Sequence, residues 1–128
     1  MRNNDRTLPN RKVSYSADGG AKWQEATFDT TLIEPVCQGT LLRYSTGPSI
    51  LLFSNPHHKS VRKNLTLMVS RNEGQTWSQQ IVINKALSAY SDIVKLDDGR
   101  VICLFETGRL LPYSGIVFQY IAKEAILK

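Results

Sequence analysis

Ser70-Arg71-Asn72-Glu73-Gly74-Gln75-Thr76-Trp77 is the stretch that decides how this chain folds. Its glycine supplies positive φ for a tight turn, and its asparagine can hydrogen-bond the turn's own amides. The tryptophan then returns to cover the turn with apolar area. Much the same device stands at Ser16-Ala17-Asp18-Gly19-Gly20-Ala21-Lys22-Trp23, where serine, Asp or Asn, glycine and tryptophan recur at the same relative positions 54 residues earlier. An internal repeat of about 40–50 residues suggests propeller blades.

The sequence outward from these turns reads as short strands. Gly39 to Tyr44, Ile50 to Ser54, Leu65 to Ser70 and Gln79 to Ile83 make one four-stranded blade, with the second turn joining its third and fourth strands. Arg2 to Arg11 is polar and turn-rich, a loop or a strand rim, and Lys12 to Ser16 reads as a strand leading into the first turn. That turn and its flanks are then the last two strands of a preceding blade. Further on, Ser91 to Leu96 and Val101 to Glu106 form a hairpin about Asp98-Gly99. Antiparallel pairing sets the start of one strand beside the end of the other, so Tyr90 and Glu106 meet at one end of the sheet. Gly115 to Ala122 adds a third strand, and Ile121 to Lys128 makes a short terminal turn. The class is all-β. Two, four and three strands do not close a ring, and bare sheet edges invite association. The expectation is the back part of a larger domain.

Composition bounds the rest. At 128 residues the chain has the size of one domain and can bury a core. The net charge of +5 is spread along the chain. Nucleic-acid binders show a basic stripe with interleaved aromatics, and none is visible, so the charge points to a small-anion site or to nothing. Cys37 and Cys103 sit in or beside apolar segments without a CxxC spacing and read as buried free thiols. His57-His58 follows a proline without a ligand partner at metal spacing, and reads as a solvated loop. No apolar run is long enough to span a bilayer, and Met1-Arg2-Asn3-Asn4-Asp5 does not look like a leader. The compartment stays open.

The repeated turn resembles the Asp box of sialidase-type propellers (Ser-x-Asp-x-Gly-x-Thr-Trp), with Lys22 replacing threonine in the first copy and Asn72 replacing aspartate in the second. Other stretches extend the likeness in order along the chain. Met1-Arg2-Asn3 with Arg11 to Ser16 resembles the family's "N-x-R-N … R-x-V-x-x-S-x-D-G-G" segment, and Leu32 to Leu42, with Pro35-Val36-Cys37-Gln38-Gly39, resembles "L-x-x-P-x-C-Q-G-S-L". Ser54-Asn55-Pro56 and Arg62-Lys63-Asn64-Leu65-Thr66 resemble "S-N-P … R-x-N-L-T". Ala89-Tyr90-Ser91-Asp92 with Leu104-Phe105-Glu106 resembles "A-Y-S-D … L-Y-E", and Tyr113 to Phe118 resembles the strand that ends the catalytic domain. The resemblance implies a partial six-bladed β-propeller of about two and a quarter blades: 1–30 the end of one blade, 31–86 a full blade, 87–128 most of the last.

Sialidases cleave terminal sialic acid, whose anomeric carbon bears a carboxylate. A carboxylate nucleophile would approach against that charge, whereas a phenol is neutral until it attacks, which is why this family departs from the two-carboxylate rule. A free phenol, with a pKa of about 10, needs a base beside it at neutral pH. The resemblance makes Tyr90 that nucleophile; by pattern alone it is equally a strand-edge tyrosine. It also makes Arg62 and Arg2 two of three arginines whose planar forks grip the substrate carboxylate. Glu106 matches the glutamate that orients the first arginine, and Gln38 either lines the pocket or is a buried strand amide. Asp92 is read as facing away from Tyr90 and is not assigned as its base. The family's first arginine, its acid/base aspartate and the glutamate that activates the tyrosine have no matching motif, so little turnover is expected of these residues alone. The resemblance implies no metal or cofactor, and sialylated glycans as partners. The rival reading is a non-catalytic carbohydrate-binding or structural β-repeat piece, and open edges would permit self-association.

Overall fold

The computed structural model describes residue 4 and residues 8–128. Arg2 lies outside the described residues. Eight strands run in the order β1 (Asn10–Val13), β2 (Thr27–Ile33), β3 (Thr40–Thr46), β4 (Ser49–Pro56), β5 (Lys63–Ser70), β6 (Gln79–Lys95), β7 (Val101–Thr107) and β8 (Gly115–Ile121), followed by a short helix α1 (Lys123–Leu127). β1 and β2 pair antiparallel, and β3 to β8 follow one another in sequence order through a six-stranded antiparallel array. The chain is all-β, a partial β-propeller.

Burial follows from position in the array. β4 and β5 lie inside it, and from Ile50 to Pro56 and from Leu65 to Ser70 every residue is buried. Their sequences accordingly run apolar without clean alternation. Leu52, Leu65, Leu67 and Val69 join Ile93, Val101, Phe105 and Ile126 in the main core. Truncating one such leucine to alanine costs about 2–5 kcal/mol. A second cluster of Leu32, Leu51, Phe53, Met68 and Trp77 fastens β2 to the other face. β8 is the edge strand, and only its last residue, Ile121, is buried.

Two expectations need correction. The first strand is Asn10–Val13 rather than Lys12 to Ser16, because Ser14 and Ser16 turn their hydroxyls to local work: Ser14 donates to the Gln24 carbonyl and Ser16 accepts the Gly20 amide. β6 is also not two strands parted by a loop. It stays extended over 17 residues, pairing with β5 up to Leu87 and with β7 from Ser88 onward. Asn84 makes the passage tolerable, since its side chain accepts the Ala86 amide and donates to Ser88 Oγ and Thr107 Oγ1. The Asp98-Gly99 turn forms as expected, with Gly99 at φ 87° and its amide donating to the Leu96 carbonyl.

Candidate functional site

Tyr90 lies between two buried neighbours, Ala89 and Ser91, and is itself 43% exposed. The β6–β7 register slips between Ser88 and Ser91, which takes Tyr90 out of the regular ladder. The Glu106 carboxylate fills the gap, its Oε2 accepting the Tyr90 amide at 3.1 Å. Ser91 is gripped from the neighbouring sheet. Its amide donates to Gln38 Oε1 at 3.1 Å, and its carbonyl accepts from Gln38 Nε2 at 3.1 Å and from Thr40 Oγ1 at 2.6 Å. Its hydroxyl lies 2.9 Å from Ser54 Oγ.

Arg62 comes from the hairpin between β4 and β5. Asn64 takes a left-handed conformation at φ 59° and closes that hairpin through His57, each backbone or side-chain donor finding the other's carbonyl. His58 Nδ1 accepts the amides of Ser60 and Val61. The histidines are therefore not simply solvated, and burial pushes the His57 imidazole below its ordinary pKa. The Arg62 guanidinium donates through Nη1 to Tyr113 Oη at 3.0 Å and through Nη2 to the Val36 carbonyl at 3.0 Å. Its carbon stands 5.6 Å from the centre of the Tyr90 ring and 5.9 Å from that of Tyr113, within cation–π range of both. Among the described residues no carboxylate pairs with Arg62. A cation with neutral partners beside a phenol can hold an anion next to a nucleophilic oxygen.

The structure thus brings Tyr90, Arg62 and Glu106 to one end of the sheets, with Gln38 behind them. Gln38 spends both Nε2 hydrogens inside the protein, on Thr40 and Ser91. Asp92, like Tyr90, is exposed, with the buried Ser91 between them. Tyr113 is the neighbour that sequence reading passed over. It was visible only as the lead-in to the last strand, and the fold alone reveals its contact with an arginine 51 positions earlier. Cys37 and Cys103 are free and buried, and burial, with Asp92 second, pushes the Cys103 thiol up to about 12. Among the described residues no three His, Cys, Asp or Glu side chains gather as a metal site requires. No helix among them is long and apolar enough to cross a membrane. A cavity of about 850 Å³ is lined by Gln38 together with Trp23, Leu41 and Trp77 and does not include Tyr90.

Residues 1–103 match the BNR repeat-like domain family. The sialidase of Micromonospora viridifaciens is 32% identical over 111 residues, which span 81% of this chain and 17% of that protein. The sialidase of Vibrio cholerae serotype O1 is 35% identical over 108 residues, 76% of this chain and 14% of that one. This chain therefore spans less than a fifth of the length of these curated relatives. Among solved structures, the Hadza microbial sialidase Hz136 superposes with a TM-score of 0.81 at 32% identity, covering 98% of this chain and 25% of its own. The chain belongs to the sialidase family of BNR-repeat proteins.

Proposed function

We propose that this chain is the nucleophile-bearing part of an exo-α-sialidase acting on terminal α-linked sialic acids. On this reading 1–30 closes one blade, 31–86 is a complete blade and 87–128 is most of the last. The observation that carries it is the Arg62 guanidinium 5.6 Å from the Tyr90 ring. Arg62, joined by Arg2, grips the sugar's carboxylate, and Tyr90 Oη attacks the anomeric carbon. The bond to the aglycone oxygen breaks, the aglycone leaves with a proton from a general acid, and the phenol's proton passes to a base. Water then cleaves the tyrosyl glycoside, releasing sialic acid with net retention and restoring the phenol. No motif within the 128 residues matches the family's acid/base aspartate, its tyrosine-activating glutamate or its first arginine. General acid–base help is worth about 10²–10⁴ in rate, so these residues by themselves bind the sugar and turn it over slowly or not at all.

The test is a titration with N-acetylneuraminic acid alongside its methyl ester, which lacks the charge. The free acid binds and the ester does not, and Arg62→Met weakens binding on the order of ten- to hundredfold, as loss of a charged hydrogen bond does. Equal affinity of the Arg62→Met variant would remove the anion clamp from this account. Release from a fluorogenic sialoside stays near background. Clear release that Tyr90→Phe abolishes would mean that the chain carries its own acid and base.

A further inference from the structure

One short bend touches both halves of the site. Val36 sits at φ 54°, a left-handed conformation that a β-branched residue rarely adopts. The bend is clamped from below by the buried ion pair of Arg11 and Glu34 at 2.8 Å. Arg11 Nη2 also donates to the Cys37 carbonyl at 2.9 Å, and Glu34 Oε2 accepts the Cys37 amide at 3.4 Å. Two contacts leave this fixed bend. The Val36 carbonyl receives Arg62 Nη2, and the Gln38 carboxamide takes both the amide and the carbonyl of Ser91, next in chain to Tyr90. A primary amide offers a donor and an acceptor side by side, so Gln38 stands in for a strand partner at Ser91, where β6 has already left its ladder with β5 at Leu87 and is paired with β7. The Ser88 amide donates to the Arg62 carbonyl and fixes that main chain. The guanidinium end and the tyrosine's own segment are referred to the bend.

We infer that the Val36-Cys37-Gln38 bend is a ruler that sets the distance from the Arg62 guanidinium to the Tyr90 phenol. Gln38 is its positioning residue, and the Val36 carbonyl is the stop against which the arginine rests. The strain held at Val36 is the counterpart of that fixed carbonyl direction, and the Arg11–Glu34 pair keeps it from relaxing. This inference deepens the sialidase reading, but its central measurement does not depend on it.

The measurement uses the 128-residue chain labelled with 3-fluorotyrosine, its five tyrosine signals assigned by single Tyr→Phe changes. Arg62→Met removes the charge facing Tyr90 and shifts the Tyr90 signal, and the size of that shift reports the spacing. In a Gln38→Met background the Arg62→Met shift falls by about half or more, the coupling expected when contacting groups share a support. Gln38→Glu keeps the acceptor for the Ser91 amide, loses both donors and gives an intermediate loss. The signal of buried Tyr44, whose hydroxyl donates to the Gly99 carbonyl, stays in place and certifies the fold. Affinity for N-acetylneuraminic acid falls about three- to tenfold in the same order. A folded Gln38→Met chain with an undiminished Arg62→Met shift overturns the ruler, and if that variant does not fold, Gln38→Glu decides it alone. Absence of sugar binding by the parent chain counts against the sialidase reading and leaves the fluorine result to stand or fall by itself.

Discussion

The two copies of the repeated turn are nearly superimposable in their hydrogen bonds and opposite in their surroundings. In the first, the Ser16 hydroxyl accepts the Gly20 amide at 2.8 Å and Asp18 Oδ1 accepts the Lys22 amide at 2.9 Å. In the second, Ser70 accepts the Gly74 amide at 2.9 Å and Asn72 accepts the Thr76 amide at 2.9 Å. Yet Trp23 is 64% exposed, while Trp77 is 8% exposed, packed on Phe53 at 5.9 Å and donating to Asp29 Oδ2. The turn is built by its own residues. Its burial is set by the strands around it, and only the second copy has them on both sides.

The largest break of this symmetry comes from removing the two indoles. Trp77→Ala destabilises by about 3–5 kcal/mol, the cost of emptying a packed aromatic site. Trp23→Ala costs less than about 1 kcal/mol, as surface changes do. Urea unfolding of the two variants checks this, and equal costs would mean that the turns are energetically alike after all.

A smaller effect separates the fourth positions. Gly19 (φ 72°) and Glu73 (φ 57°) are both left-handed, but the second turn holds its glutamate there through Arg43 and Ser49. Gly19→Ala meets no atom within 4 Å of its new Cβ and still destabilises, by about 1–2 kcal/mol, through φ alone. A thermal melt that does not move would show that the first turn is free to change its conformation.

The smallest effect is in acid. Hydrogen bonds to the Asp18 carboxylate, that from the Lys22 amide first, hold its pKa below the ordinary value. Its contribution is therefore complete above the unfolded pKa of about 3.9 and is lost as pH falls through the lower folded value. Asn72 carries no such charge. Asp18→Asn removes this acid component and Asn72→Asp creates one in the second turn. Both are measured in a Glu73→Gln background, because Arg43, then Ser49, holds Glu73 down at about 2 and it titrates in the same range. Unaltered stability–pH curves in both variants would dismiss the turn carboxylate as a source of acid sensitivity.

What was legible in the sequence was local. The Asp98-Gly99 hairpin, both repeated turns and the strand-like runs between them declare themselves through residues within a few positions of one another, and the structure forms them. The meeting of Tyr90 with Glu106 followed from hairpin pairing alone, although the reason they touch, a slipped register, did not show. What escaped was tertiary. Nothing near Trp77 says that it will be covered and Trp23 left bare. The partner of Arg62 across the site, Tyr113, arrives from the loop before β8, and the carbonyl it rests on belongs to a valine in a conformation that no propensity would assign. Continuity of β6 through 84–88 was hidden because the ladder is irregular there and the Asn84 side chain supplements it.

That continuity leaves no slack between the two sheets β6 serves. Arg62 is carried by the hairpin on one side of the shared strand and Tyr90 by the strand itself on the other, so any tilt of one sheet against the other pivots near 85–87.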